Sequence, residues 1–327
     1  MRLAMLRNTK RTILLTGKTG QIGSELLRFL PDLGNVAAPA RHELDLLDAN
    51  MIRRAVRASR PELIINAAAY TAVDAAETHE ADACAINASA PAVLAEEAKK
   101  IGAAVVHYST DYVFDGSKRT PYEETDSTSP INVYGKTKLA GDEAIGASGV
   151  PHLIFRTGWV YATRGRNFLL TILRLAAERE ELRIVNDQIG SPTCASDLAA
   201  ATIKILTSIS KRNRNGFVFS DVGGTYHLTA AGQTTWYEFA KAILEKAGAS
   251  SHAPHWLDAA TQGRRLLAQR LVPIPTEEFQ CLARRPAYSV LSNSKLIQTF
   301  GARLPDWRTQ LHRCFVSDRI AAARTAV

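Results

Sequence analysis

Tyr134 and Lys138, four residues apart in YGKTKLAG, are the side chains of this sequence best suited to acid chemistry. At i and i+4 they share one face of a helix. A free phenol, with a pKa of about 10, gives up its proton poorly at neutral pH. An ammonium beside it favours the phenolate and is expected to lower that pKa toward the working range. Thr110, where an apolar run ends at a polar turn, brings a second hydroxyl able to hydrogen-bond a carbonyl oxygen held between the two. Together they suit protonation of an alkoxide as it forms. The spacing alone also describes a solvated helix face, so the rest of the chain has to decide.

A second motif lies near the N-terminus. In TILLTGKTGQIGSELLRFL an apolar run, Ile13–Leu15, enters a turn containing Gly17, Gly20 and Gly23, with Gln21 and Ile22 inside it. A helical pattern follows through Leu26, Leu27 and Leu30. Strand, glycine turn and helix form the setting of a dinucleotide site, where the backbone approaches a pyrophosphate and the helix N-terminus offers free N–H groups. The spacing is G-x-x-G-x-x-G. After the next apolar run, Val36–Ala38, the first charged residue is Arg41 rather than an acid. A guanidinium there can pair with a ribose 2′-phosphate; the plain alternative is a solvent-facing arginine. Three alanines, Ala67, Ala68 and Ala69, follow a third run, where bulky side chains would collide with a bound cofactor. Tight strand-end packing explains them equally well.

The elements that must carry these residues alternate. Ile13–Leu15, Val36–Ala38, Leu63–Ile65 and Ala103–Val106 read as buried parallel strands, separated by helical stretches at Gly20–Leu30, Ala49–Ala58 and Ala81–Ile101. The expected fold is therefore α/β with a doubly wound parallel sheet. His152–Arg156 and Leu182–Val185 can add strands, and Asn167–Glu178 and Ser196–Ser208 read as helices. From about Val222 the alternation breaks into short Gly- and Pro-punctuated segments, which suggests a smaller lobe. We expect residues 1–160 to form a dinucleotide-binding domain completed by elements from about 180–220, and 161–327 to be mainly a substrate-binding lobe.

The 327 residues, 46% hydrophobic and 22% charged, suit an ordinary globular chain, and no run of 18 uncharged apolar residues suggests a membrane span. The basic start, MRLAMLRNTKR, lacks the apolar core of a signal peptide and reads as a frayed leader. Cys84, Cys194, Cys281 and Cys314 are far apart and form no metal motif, so a cytoplasmic, reduced setting is expected and no bound metal. The net charge of +8 is scattered, its longest basic cluster being KRNR at 211–214, so anionic small ligands rather than nucleic acid are the expected partners.

The glycine turn, INAAAYTAVDAAE (65–77), STDYVFDG (109–116) and YGKTKLAG (134–141) resemble the extended short-chain dehydrogenase/reductases. RTGWVYATRGRNF (156–168), DQIGSPTCASDLA (187–199), GTYHLTAAGQTTWYEFA (224–240) and RRPAYSVLSNSKL (284–296) extend the resemblance, within that group, to the dTDP-4-dehydrorhamnose reductases, from Thr12 to about Trp307. The resemblance implies a Rossmann-type fold and reduction of the C4 keto group of dTDP-4-dehydro-L-rhamnose, a nucleotide-sugar substrate, with NADPH and with NADH as the alternative cofactor. It implies that Tyr134 donates the proton, Lys138 holds the nicotinamide ribose, and Thr110 orients the carbonyl. Asp45, Leu46 and Tyr70 match cofactor-side positions; Asp111 and Trp159 fall where the family contacts the sugar, and Asn167, Gln188, Arg285 and Tyr288 sit in matching blocks that line the substrate side. At Tyr288 the sequence departs from the family, which often carries Asn after Arg-Pro-Ala.

Related chemistries are separated by one position. The 4,6-dehydratases carry Thr-Asp-Glu, whereas here Tyr112 follows Thr110 and Asp111, so the elimination pair is missing. An epimerase stays open on the Tyr/Lys pair alone. So does a non-catalytic relative, resembling the regulatory β subunit of methionine adenosyltransferase, although a complete Thr110/Tyr134/Lys138 set argues against it. Oligomeric state, a homodimer included, and any use of Mg²⁺ are left open by the residues.

Overall fold

The computed structural model describes residues 11–212, 216–249 and 254–325. The leader up to Lys10 lies outside them, as do Asn213 and Arg214 of the KRNR cluster. Six parallel strands form the central sheet: β1 (Thr12–Thr16), β2 (Asn35–Ala37), β3 (Leu63–Asn66), β4 (Ala104–Thr110), β5 (His152–Thr157) and β6 (Gly224–His227), in the order β6-β5-β4-β3-β1-β2. The order reverses next to β1, which opens a crevice outside the strand C-termini.

Why the strands read as continuous apolar runs is visible in where alternate side chains go. Ile13, Leu15, Leu63, Ile65, Val106, Leu153 and Phe155 enter one core, beneath helices α1 (Gln21–Phe29) and Ala195–Arg212. Leu14, Ile64, Val105 and Ile154 enter the other, with Ile52 and Val56 of α2 (Ala49–Ser59) and Leu94 and Ala98 of α3 (Ala90–Ile101). With both faces covered, the period of two carries no polar signal. Asp48 caps α2 by accepting from the amides of Asn50 and Met51.

The helical stretch read over Ala81–Ile101 is interrupted by a π-turn, Ala85–Ser89. Its buried Asn87 accepts from the Tyr70 amide and donates to the Tyr70 carbonyl and to Thr137 on α4 (Val133–Ser148). One amide thus ties the loop after β3 to the helix carrying Tyr134 and Lys138.

The run Leu182–Val185 does form a strand, but not in the central sheet. Glu181–Val185 pairs in parallel with Arg270–Ile274, and the sixth central strand is Gly224–His227 instead. Ala195–Arg212 packs on α1 and does cover that face of the sheet. A separate core of Leu169, Ile172, Leu173, Phe239, Ile243, Trp307 and Leu311 joins helices Phe168–Glu178, Trp236–Gly248 and Trp307–Thr325. Among the described residues no helix is long and apolar enough to cross a membrane.

Candidate active site

A cavity of about 690 Å³ opens where β1, β3, β4 and β5 end, lined there by Thr16, Ala67, Thr110 and Thr157. Its size falls within the range of small-molecule sites. The glycine turn forms one wall. Gly17 has φ +74°, and a Cβ on it would lie 2.7 Å from the Ala67–Ala68 backbone; one on Gly23 would lie 2.1 Å from the Gly17 carbonyl oxygen. Gly17 thus brings the turn against the alanines, and Gly23 lets α1 begin directly behind it. The N-cap of α1 is Gly20, with no side chain to take the first-turn amides. Those amides, with the helix dipole, fit a pyrophosphate. Gln21 and Ile22 line the cavity; Gly23 is packed behind it.

Arg41, Asp45 and Leu46 reach the same cavity from the loop after β2, and Ala67, Ala68 and Ala69 from the loop after β3. Arg41 is exposed, while Asp45 turns one carboxylate oxygen to the Leu47 amide. Lys18, inside the glycine turn, adds a second cation on this wall, 4.0 Å from Glu43. Sequence reading passed over it because a lysine in a loop carries no signature of its own. Tyr70 is not on the wall: its ring packs with Ala76, Ala83 and Val133, and its backbone is held by Asn87.

Tyr134 stands in the first turn of α4 and Lys138 one turn on, both on the cavity. The helix start is fixed by Asn132, which accepts from the Gly135 amide at 2.7 Å and donates to the Arg284 carbonyl at 2.8 Å. Losing such a cap costs about 1 kcal/mol. The electrostatics differ from the expectation. Burial pushes the Tyr134 phenol up to about 12, with the Thr110 hydroxyl pulling the other way. Lys138 does not bond to the phenol; its Nζ donates to the Tyr108 carbonyl at 2.6 Å and meets His107 Nε2 at 3.0 Å. Burial, with the charges of Asp111 and Asp142, outweighs the Thr110 hydrogen bond, and Tyr134 is a loaded acid at neutral pH. Burial lowers Lys138 to about 8, against the opposing charge of Asp142.

Thr110 donates to Asp111 Oδ1 at 3.0 Å and accepts from the Tyr112 amide at 3.1 Å. Asp111 is buried, and burial raises its carboxyl to about 6 despite hydrogen bonds from Ser289 and Thr110. Its Oδ2 has no partner. That oxygen is packed against Gly158, where an added Cβ would lie 2.5 Å from it, and Asp111 as a residue lines the cavity.

Trp159 lines the cavity with φ +50°, and its indole lies flat on that of Trp236. Trp236 was not singled out from the sequence, where an aromatic residue opening a helix reads as core. Gln188 braces it, accepting from Trp236 Nε1 at 3.1 Å and donating to Thr276 at 3.1 Å. Asn167 is on the wall, but its amide is spent as the cap of helix Phe168–Glu178 and on the carbonyls of Ala162 and Arg164. Arg285 is not on the wall. Its fork grips Asp74 at 2.6 and 2.9 Å, and the same carboxylate accepts from the Leu282 and Ala283 amides. Tyr288 is buried with its hydroxyl on Gln233. Among the described residues no group of three or more His, Cys, Asp or Glu side chains is arranged to hold a metal ion.

Residues 11–320 match the family model described as the RmlD substrate binding domain. The chain is 48% identical over 302 residues to a dTDP-4-dehydrorhamnose reductase of Burkholderia thailandensis, covering 92% of this chain and 97% of that one. It is 45% identical over 306 residues to that of Escherichia coli K12, covering 92% and 96%. Among solved structures it is similar to the Bacillus anthracis dTDP-4-dehydrorhamnose reductase in complex with NADP, with a TM-score of 0.80, 34% identity and coverage of 94% and 99%. With the match spanning nearly the whole length on both sides, the chain belongs to the RmlD family, that of the dTDP-4-dehydrorhamnose reductases.

Proposed function

We propose that this protein reduces the C4 keto group of dTDP-4-dehydro-L-rhamnose to give dTDP-L-rhamnose, with NADPH as the preferred reductant. The observation that carries this reading is that the glycine turn and the Thr110/Tyr134/Lys138 set open on one cavity. The reaction belongs in the cytoplasm, feeding rhamnose to cell-surface polysaccharide. On this reading the cofactor lies against the part of the chain before about residue 160, and the sugar against the part built mainly after it.

Bound nicotinamide supplies the hydride. The amides at the start of α1 hold the pyrophosphate, Arg41 with Lys18 takes the 2′-phosphate, and Asp45 and Leu46 border the adenine. Tyr134 gives its proton to the substrate oxygen as charge develops there. Its raised pKa keeps that proton in place until then. The Thr110 hydroxyl turns from Asp111 to the same oxygen, a hydrogen bond that strengthens as the oxygen becomes negative. Lys138 holds the ribose, and its charge favours the phenolate left behind. Asp111 accepts a sugar hydroxyl, while Arg285, through Asp74, holds the 282–285 segment in position.

The test is to follow the loss of reduced-nicotinamide absorbance with dTDP-4-dehydro-L-rhamnose and NADPH, then NADH. Turnover supports the reading; tight NADPH binding without turnover of any 4-keto nucleotide sugar replaces it with a non-catalytic binding role.

A further inference from the structure

Lys138 is 1% exposed and makes no ion pair among the described residues. Its charge is held by two neutral acceptors, the Tyr108 carbonyl and His107 Nε2. The His107 ring, on β4, is fully buried, and its Nδ1 is 3.0 Å from the Asn66 amide nitrogen at the end of β3. Asn66 in turn is 2.6 Å from the Thr16 hydroxyl, which precedes the glycine turn. Four buried side chains from β1, β3, β4 and α4 thus run from the cofactor turn to Lys138.

The chain has two hydrogen-bond polarities. A charged Lys138 donates to Nε2, which places the imidazole proton on Nδ1 and turns the Asn66 amide so that its oxygen accepts that proton. A neutral Lys138 accepts from an Nε2 proton, Asn66 then donates to Nδ1, and its oxygen takes the Thr16 hydroxyl. An imidazolium does not fit beside a charged Lys138, because it would set two cations 3.0 Å apart.

We propose that His107 is a positioning residue for Lys138: a neutral imidazole that accepts from the ammonium and keeps it charged and aimed at the cavity, the Asn66 amide turning its oxygen to Nδ1 to take the proton there. Asp142, on α4, holds Ser109 at 2.8 Å and Arg156 of β5 at 3.2 Å through Oδ2, while its Oδ1, without a hydrogen-bond partner, faces His107 Nε2 at 3.9 Å. Tyr108 of β4, Tyr134 on α4 and Asp111 beyond β4 are further titratable residues near this cluster. Burial and Lys138 both push His107 well below the usual histidine range, so it stays neutral throughout. Lys138, at about 8, has little margin. Losing one of its two acceptors brings its discharge into the neutral range.

This rests on the reductase reading, so the wild-type pH profile of kcat is measured first; an inactive wild type sinks that reading and not this one alone. For His107→Leu, a downward move of the alkaline limb by about one pH unit means a roughly fivefold loss near pH 8 and little loss near pH 6.5. His107→Gln, which keeps an acceptor, should restore much of the limb. NADPH affinity near pH 6.5 should match the wild type in both. Where the leucine variant does not fold, His107→Asn, too short to reach Lys138, takes its place. An unmoved alkaline limb, or a loss equal at every pH, overturns the proposal.

Discussion

The indole rings of Trp159 and Trp236 lie 3.4 Å apart and 3° from coplanar. A Cβ built on Gly190 would fall 2.3 Å from Cε2 of Trp159, with Nε1 and Cζ2 at 2.5 and 2.7 Å, so Gly190 lies against the face of the same ring. Trp159 is therefore covered on both faces. On the proposed reading a pyranose meets its edge rather than a free stacking surface, and Trp236 sets how that edge is presented. Trp236→Ala should raise KM for the sugar roughly 2–10-fold, the equivalent of the ring pair's about 0.5–1.5 kcal/mol, with NADPH affinity unchanged. Steady-state kinetics at saturating NADPH checks it; an unchanged KM would mean that the sugar does not touch this pair.

Arg41 is the side chain expected to distinguish the two nicotinamide cofactors. Arg41→Ala should weaken NADPH by about 1–3 kcal/mol, the loss of a charged hydrogen bond, and leave NADH almost untouched. Fluorescence titration with each cofactor measures both. Equal losses would show that Arg41 stands near the cofactor without touching the 2′-phosphate.

Asp111 is costly to the ligand-free protein. Its folded pKa, about 6, is raised from 3.8, so the stability linked to its protonated form is present below about pH 4 and is lost as pH rises through about 6. Asp111→Asn should accordingly raise stability at neutral pH by about 3 kcal/mol, with a higher melting temperature, and have a much smaller effect near pH 4. It should also lower kcat/KM for the sugar. A thermal-melt series across pH decides; destabilisation at neutral pH would mean that the ionised carboxylate is well satisfied.

How much of this was legible depends on whether the signal is local. Ile13–Leu15 and Leu63–Ile65 announce themselves because strands buried on both faces are apolar throughout. Gly224–His227 does not: Gly, Thr, Tyr and His make no such run, yet their neighbour β5 recruits them. Leu182–Val185 looked like a central strand because a short apolar run does not name its partner, here Arg270–Ile274 far along the chain and containing Pro273. Tyr134 and Lys138 stand out by residue type and spacing and Thr110 by its place at a strand end, and the structure brings the three to one cavity. The lowered Tyr134 pKa expected from spacing failed, because spacing says nothing of burial or of where Lys138 directs its protons. His107 left one cue, a histidine inside a buried apolar strand.

The central claim is that Tyr134 protonates the C4 oxygen during NADPH-dependent reduction of the sugar. Tyr134→Phe keeps the ring and removes only the proton. Single-turnover reduction of dTDP-4-dehydro-L-rhamnose by pre-bound NADPH, wild type against Tyr134→Phe, tests it most directly. The rate should fall by about 10²–10⁴ with NADPH affinity preserved; an unchanged rate in the phenylalanine variant would show that Tyr134 is not the proton donor.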